Sequence, residues 1–238
     1  MERKTSGRVL GLRKTVFALS LLLTGTVASF AQTGNASYVR NFINSQGQCK
    51  TGALTSSNGC VAIVGGNGYA ASGIPQSLNE HLAAESKAGR TIDDICLTEN
   101  GSWYCVGDTL RGVNCPQAMI NTVNNFCRLG DRILCVTFDD NGNWIVISSG
   151  HWSASNTSIE GNMKKAQNMH GNILTAHLGN DGGLAVICQN GSTVFGNVPS
   201  SLTTFLQTKL NFAAMYIKFS TNGSWLITGR SSEYAYSM

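Results

Sequence analysis

Residues 92–106 read IDDICLTENGSWYCV, which is two apolar runs on either side of Asn100-Gly101. An Asn-Gly or Asp-Gly dipeptide recurs along the chain, at Asn58-Gly59, Asn100-Gly101, Asn141-Gly142, Asp181-Gly182 and Asn222-Gly223. The glycines of these dipeptides are 42, 41, 40 and 41 residues apart. A nearly fixed period of this size is typical of repeat proteins. The sequence therefore predicts one supersecondary unit repeated five times.

Each unit is predicted to contain a helix followed by a β-hairpin. Gly47, Gly89 and Gly130 lie twelve residues before a turn glycine, where glycine can end a helix in the left-handed conformation. Apolar residues before these glycines have helical spacing, whereas those beside the turns alternate with the period of a strand. Asn-Gly between two such runs indicates a tight hairpin with a two-residue loop.

The predicted fold class is α+β, with five helix-plus-hairpin (αββ) units in a single repeat domain that covers residues 32–238. The units are predicted at about residues 33–74, 75–115, 116–157, 158–198 and 199–238. One unit cannot bury its own apolar face, so neighbouring units are expected to stack. The sequence leaves two arrangements open: a curved open array, or a closed ring like an α/β propeller.

The first 31 residues have the pattern of a secretory signal peptide. Five Lys and Arg precede the apolar residues 16–23 (VFALSLLL), and Ser29 and Ala31 occupy the −3 and −1 positions of a cleavage site. We therefore expect a secreted or periplasmic protein with no membrane span in the mature chain. Twelve basic and twelve acidic residues follow Ala31, a balance that predicts no nucleic-acid partner.

Eight cysteines in an exported chain suggest disulfides. With a two-residue loop at Asn100-Gly101, Cys96 faces Cys105 at a non-hydrogen-bonded position, where the short Cα–Cα separation suits a disulfide. The pairing of the other cysteines stays open: Cys49, Cys60, Cys115, Cys127, Cys135 and Cys188. Because no Cys and His spacing indicates zinc, we predict neither a metal nor a cofactor.

Trp103, Trp144 and Trp225 occupy the same place after the turn in three units, and we predict that they belong to the core. Paired acids occur at Asp93-Asp94 and Asp139-Asp140. Neighbouring strand residues point to opposite faces, and an acid at a turn caps backbone N–H groups. Neither pair is therefore predicted to form an acid/base couple.

Aromatic residues beyond the return strand form the predicted binding site: Tyr69, His151, Trp152 and Tyr234. They lie in Gly-, Ser- and Ala-rich segments that we predict to be loops at one end of the array. Aromatic rings on such loops would share a face and stack on sugars or hold a partner peptide. Packing of these residues onto the neighbouring unit is the alternative.

The units resemble the ~41-residue Trp-containing repeats of secreted bacterial proteins of unassigned function. The resemblance rests on Gly65-Gly66-Asn67-Gly68-Tyr69 and Gly73-Ile74-Pro75, and it covers the mature chain. It implies a repeat fold and export, and it implies no activity.

The leading functional hypothesis is an exported scaffold that binds an unidentified protein or carbohydrate partner and has no catalysis of its own, since no complete catalytic motif is present. The alternative is a secreted hydrolase with a free cysteine as nucleophile and a histidine as base. Four histidines are available: His81, His151, His170 and His177. Oxidation of thiols outside the cell argues against this alternative.

Overall fold

The computed structural model describes residues 34–238. The predicted signal peptide and its cleavage site after Ala31 lie outside these residues. Five units follow one another, each with one helix and then a three-stranded antiparallel sheet. The repeated helix and hairpin are confirmed, and each unit has a third strand that the sequence did not predict.

The helices α1 to α5 span Ala36–Gln46, Gln76–Ala88, Gln117–Arg128, Thr157–His170 and Ser200–Thr208. The strands β1 to β15 span, in chain order, Thr51–Leu54, Cys60–Val64, Gly68–Ser72, Ile92–Leu97, Trp103–Gly107, Arg111–Val113, Ile133–Phe138, Trp144–Ser148, Trp152–Ala154, Ile173–Leu178, Leu184–Cys188, Gly191–Phe195, Ala214–Phe219, Trp225–Gly229 and Tyr234–Ser237. Among the described residues, no helix has both the length and the apolar character needed to cross a membrane.

The helix ends follow from local sequence. Pro75 directly precedes α2, a position at which the missing N–H of proline costs no intrahelical hydrogen bond. The Asn156 side chain caps α4 by accepting a hydrogen bond from the Ile159 N–H at 3.0 Å. Gly47 and Gly89 end α1 and α2 with φ of 64° and 70°, as the sequence predicts.

The hairpin loops contain three residues, not the predicted two. In unit two the Thr98 N–H donates to the Ser102 carbonyl at 2.9 Å, and the Gly101 N–H donates to the Thr98 carbonyl at 3.1 Å. Gly101 has a φ of 86°. This is the geometry of a type I turn followed by a left-handed residue, and it moves the strand pairing by one residue.

The predicted disulfide between Cys96 and Cys105 is not confirmed, and the strand register explains why. The observed register places Cys96 opposite Tyr104 and Cys105 opposite Ile95. Because successive strand residues point to opposite faces, Cys96 packs towards unit three and Cys105 packs towards unit one. All eight cysteines lie among the described residues, and each is a free thiol there.

The segments predicted as aromatic loops are instead the third strands. Tyr69, Trp152 and Tyr234 lie on β3, β9 and β15, and His151 directly precedes β9. These edge strands are short, and Gly, Ser and Ala interrupt them. Their composition therefore resembles that of a loop, although pairing with the central strand of each sheet holds them extended.

The core lies between consecutive sheets. Helix α2 packs between the sheets of units one and two, α3 between those of units two and three, α4 between three and four, and α5 between four and five. Trp103, Trp144 and Trp225 are buried in three of these clusters, which confirms their predicted place in the core.

Unit five also contacts unit one. Val39 and Ile43 of α1 pack in one cluster with Leu226 of β14. The Cys49 N–H donates to the Ser232 carbonyl at 3.1 Å, and the Thr228 hydroxyl donates to the Lys50 carbonyl at 2.8 Å. The sheets themselves remain separate, since within residues 34–238 no β-ladder joins strands of different units.

Candidate functional site

The first strand of each sheet contacts the first strands of its neighbours, and β13 contacts β1 in the same way. Buried polar and ionisable side chains alternate along these strands. We call them the inner-strand cluster: Thr51, Asp94, Cys96, Cys135, Thr137, Thr175, His177, Tyr216 and Lys218. Because buried polar groups are costly unless they are paired, each member needs an account of its partners.

An ion pair joins units two and five in this cluster. The Lys218 Nζ lies 2.7 Å from the Asp94 Oδ1 and donates to the Ile95 carbonyl at 3.1 Å. The Thr51 hydroxyl donates to the same Asp94 oxygen at 3.0 Å. Burial lowers the pKa of Lys218, but the facing Asp94 carboxylate raises it, and the net direction is upward. The Asp94 carboxylate of unit two therefore binds side chains of units one and five.

The thiols of the cluster are poor nucleophiles. Burial raises the pKa of Cys96 to about 11 and that of Cys135 well above its usual range. Both side chains are therefore neutral thiols near neutral pH, whereas a cysteine nucleophile must be a thiolate. Burial has the same effect on Cys49, whose pKa rises to about 12, and on Cys105, whose pKa also rises to about 12.

His177 is held as a neutral donor. Its Nε2 lies 2.8 Å from the Phe219 carbonyl oxygen, which can only accept, so Nε2 carries the proton. The other nitrogen, Nδ1, has no hydrogen-bond partner among the described residues. Burial, together with the nearby Lys218 ammonium, lowers the pKa of His177 to about 3. His177 is therefore not set up as a general base at neutral pH.

The stability of the protein should fall as the pH decreases from about 6.5 to about 3, because the unfolded chain binds a proton at His177 that the folded chain does not. Each pH unit in this window costs about 1.4 kcal/mol. His177→Gln keeps an N–H donor for the Phe219 carbonyl but cannot titrate, so its stability should fall less steeply. Urea denaturation of both proteins at several pH values measures the slopes, and equal slopes would contradict this assignment.

A small depression lies at the hairpin-turn end of the cluster. Residues from all five units line it, namely Leu54, Leu97, Phe138, His177, Leu178 and Phe219 together with adjoining turn residues. Its volume of about 10 Å³ is close to what one water molecule requires. The depression is therefore a point where the five units meet, and it is too small to enclose a substrate.

Hydrogen bonds connect the hairpin turns around the depression. The Ser56 N–H donates to the Glu99 carboxylate at 2.7 Å, and the Asn180 side-chain amide donates to the Asp140 carboxylate at 2.7 Å. The Asn222 side-chain amide donates to the Ser56 carbonyl at 3.0 Å, which links the turns of units five and one. The turn of every unit is thus tied to a neighbouring turn through side chains.

We call the five turns the turn face, defined as residues 55–59, 98–102, 139–143, 179–183 and 220–224. These residues include Glu99, Asp139, Asp140 and Asp181 but no Lys or Arg. The Asp139 Oδ1 accepts hydrogen bonds from the Asn141 and Asn143 N–H groups, which is the turn role expected for this acid. The remaining surface of the turns is rich in amide and hydroxyl groups.

Asp93 and Asp94 point to opposite faces of β4, as predicted. Whereas Asp94 pairs with Lys218, Asp93 lies 2.8 Å from the Lys50 Nζ and 2.6 Å from an Arg132 guanidinium nitrogen. Burial raises the pKa of Asp93, but Lys50 and Arg132 lower it, and the net direction is downward. Asp93 therefore ties units one and three to unit two.

The aromatic residues predicted to bind a partner contact helices of the following unit. The Tyr69 hydroxyl lies 3.4 Å from Asn79 of α2, and the Trp152 indole N–H donates to Gln167 of α4 at 3.3 Å. These residues lie in different core clusters, so the structure does not bring them together. Their binding role stays a prediction, and their contacts give them a packing role between units.

His151 and Tyr234, the other two residues of the predicted binding site, also contact different parts of the structure. The His151 Nδ1 lies 2.7 Å from the Asp131 carboxylate, and the imidazole stacks on Phe126 with ring centres 5.6 Å apart. Tyr234 stacks on Tyr236, and its hydroxyl lies 3.3 Å from the Asn44 side chain of α1. Like Tyr69 and Trp152, Tyr234 therefore contacts a helix of another unit.

The sequence interpretation missed the inner-strand cluster. The signal that could have revealed it is a charge within an apolar strand: Lys218 in AMYIKF and Asp94 in IDDICL. A charge at such a position is buried only if it is paired, so each residue implies a partner elsewhere. Within residues 34–238 no group of three or more His, Cys, Asp and Glu side chains could hold a metal ion.

No protein-family model and no curated protein matches the chain. Among solved structures, the chain is similar to YCF48 from Cyanidioschyzon merolae, with 12% sequence identity and a TM-score of 0.30. The match covers 80% of this chain and 66% of that chain. A likeness this weak carries no argument about fold or function.

Proposed function

We propose that the protein is an exported scaffold that binds a protein or glycan partner through the turn face. The observation that carries this proposal is that residues of all five units line one depression, with the hairpin turns around it. Every unit thus contributes to one continuous surface, which is how repeat scaffolds build an extended binding site. The amide and hydroxyl groups of the turns would supply the hydrogen bonds.

We also infer that the five units close a ring in the manner of an α/β propeller. Leu226 supports this inference, since it lies on the side of β14 that faces away from unit four and yet is only 1% exposed. In an open array that side of the last sheet would face water. Instead it packs against α1 and the sheet of unit one.

Catalysis is not part of the proposal. A hydrolase would need a thiolate or another activated nucleophile, but burial keeps the inner thiols protonated. His177 donates to a backbone carbonyl and does not face a described thiol as its hydrogen-bond partner. No observation favours the cysteine hydrolase over the scaffold.

Substitution of Thr221 tests the turn face. Thr221 is exposed in the turn between β13 and β14, beside Ser220 of the depression. Thr221→Arg places a long cation at the rim and should weaken partner binding by roughly tenfold or more. The matched control is Ser231→Arg, which adds the same charge to the exposed turn between β14 and β15 at the other end of the same sheet.

Binding would be measured on glycan arrays and against purified secreted proteins, and circular dichroism would establish that both variants fold. The expected result is weaker binding for Thr221→Arg and unchanged binding for Ser231→Arg. Equal effects of the two variants would remove the turn face as the site. If the wild-type protein binds neither class of partner, the scaffold function itself is contradicted.

A further inference from the structure

Lys218 and Asp94 have the placement that two side chains need to condense with each other. The amine nitrogen and a carboxylate oxygen are 2.7 Å apart. The two residues are 1% and 0% exposed, so bulk water does not compete for either group. They come from units five and two, which are not neighbours in the chain.

Two of the three polar side-chain atoms of Lys218 and Asp94 form a hydrogen bond with a further residue, and the third does not. The Lys218 Nζ donates to the Ile95 carbonyl, and the Asp94 Oδ1 accepts from the Thr51 hydroxyl. The second carboxylate oxygen, Asp94 Oδ2, is buried and has no hydrogen-bond partner among the described residues. A buried oxygen without a hydrogen-bond partner destabilises the folded protein, because it has lost its hydration and gained no hydrogen bond in return. Loss of this oxygen would therefore stabilise the folded state.

Condensation of an amine with a carboxyl group requires the neutral form of each. Separated charges are expensive in a buried site, and transfer of one proton from the ammonium to the carboxylate yields a neutral amine and a neutral acid. These are the forms in which an amine nitrogen can attack a carboxyl carbon. The centre of the Tyr216 ring lies 5.5 Å from the Lys218 Nζ, and this ring helps to exclude water from the pair.

We propose that Lys218 and Asp94 form an intramolecular isopeptide bond. One proton passes from Nζ to Oδ2, the Nζ–Cγ bond forms, and the Cγ–Oδ2 bond breaks. The hydroxyl group leaves with a second proton from Nζ as one water molecule. Atoms and charge balance without any oxidant or other co-reactant, because an ammonium and a carboxylate become one neutral amide and water.

The product retains the contacts that the pair already makes. The single amide N–H can still donate to the Ile95 carbonyl, and Oδ1, now the amide oxygen, can still accept from the Thr51 hydroxyl. Only Oδ2 departs, and it is the atom that has no partner. The bond would join units two and five covalently and restrict the unfolded chain, as a disulfide does.

Intact-mass measurement tests this proposal. The full chain would be expressed, exported and denatured, with its N-terminus determined by tandem mass spectrometry. We expect a mass lower than the sequence mass by one water molecule, and a tryptic peptide pair joined through Lys218 and Asp94. Trypsin should also fail to cleave after Lys218. A wild-type protein that has its full sequence mass after folding and prolonged storage would overturn the proposal.

Lys218→Arg is the matched control, because it keeps a cation opposite Asp94 but its guanidinium does not condense with a carboxylate. This variant should have its full sequence mass. A loss of one water that persists in Lys218→Arg would assign the dehydration to another site, such as an Asn-Gly turn, and would also overturn the proposal. Should Lys218→Arg fail to fold, the joined peptides of the wild-type protein decide the question: their presence supports the bond, and recovery of both peptides unjoined refutes it.

Discussion

Lys218→Met is expected to lower the free energy of unfolding by about 3–5 kcal/mol, because it leaves a buried carboxylate without a counter-charge. Asp94 is 0% exposed, and its remaining partner is the Thr51 hydroxyl. Methionine has nearly the length of lysine, so the loss does not arise from a large cavity. Urea denaturation of the wild-type and variant proteins measures the difference.

The double variant Asp94→Asn with Lys218→Met provides the control. It removes both charges, so the share of the loss that the unpaired carboxylate causes should return, whereas the share that a missing covalent bond causes should not. A double variant as unstable as Lys218→Met would show that the unpaired charge is not the cause. The loss would then come from a missing covalent bond between the two residues, which the intact mass of the wild-type protein reports independently.

The repeat itself could be predicted because its signals are local. The backbone is left-handed at four of the five turn glycines, as at Gly101 and Gly142 with φ of 86° and 81°, and in unit one it is left-handed at Asn58 with φ of 62°. Glycine ends α1 and α2 for the same reason. Each signal depends on a few neighbouring residues, so one sequence is sufficient to reveal the helix and the hairpin in every unit.

The third strand and the register could not be predicted in the same way. Strands such as β6 (RGV) and β9 (WSA) contain three residues each, too few to show a period of two. They are strands because a longer central strand pairs with them. Asn-Gly is compatible with loops of two or three residues, and a difference of one residue decides which faces Cys96 and Cys105 occupy.

The inner-strand cluster was hidden because its residues do not repeat. Corresponding places in the five first strands hold Ala53, Cys96, Thr137, His177 and Lys218. No period in the sequence marks them as a group. They meet only because the units stack so that the first strands come together, and this placement depends on contacts between residues far apart in the chain.

Leu226→Ala is expected to lower the free energy of unfolding by about 2–5 kcal/mol if the units form a closed ring. Leu226 is 1% exposed and packs with Val39 and Ile43 of α1. Its side chain also lies close to Gly52, where an added Cβ would come within 2.8 Å of the Leu226 Cδ2. Glycine at this position therefore leaves room for Leu226 against the sheet of unit one.

Ile227→Ala is the matched control, since Ile227 is the next residue of β14, is 0% exposed and packs on the opposite side, towards α5 and unit four. Both variants remove a buried aliphatic side chain from one strand, so they should destabilise the protein to a similar extent. Hydrogen exchange should distinguish them: Leu226→Ala should accelerate exchange in α1, whereas Ile227→Ala should accelerate it in α5. In an open array Leu226 would face water, so Leu226→Ala would cost little and α1 would retain its wild-type exchange rates.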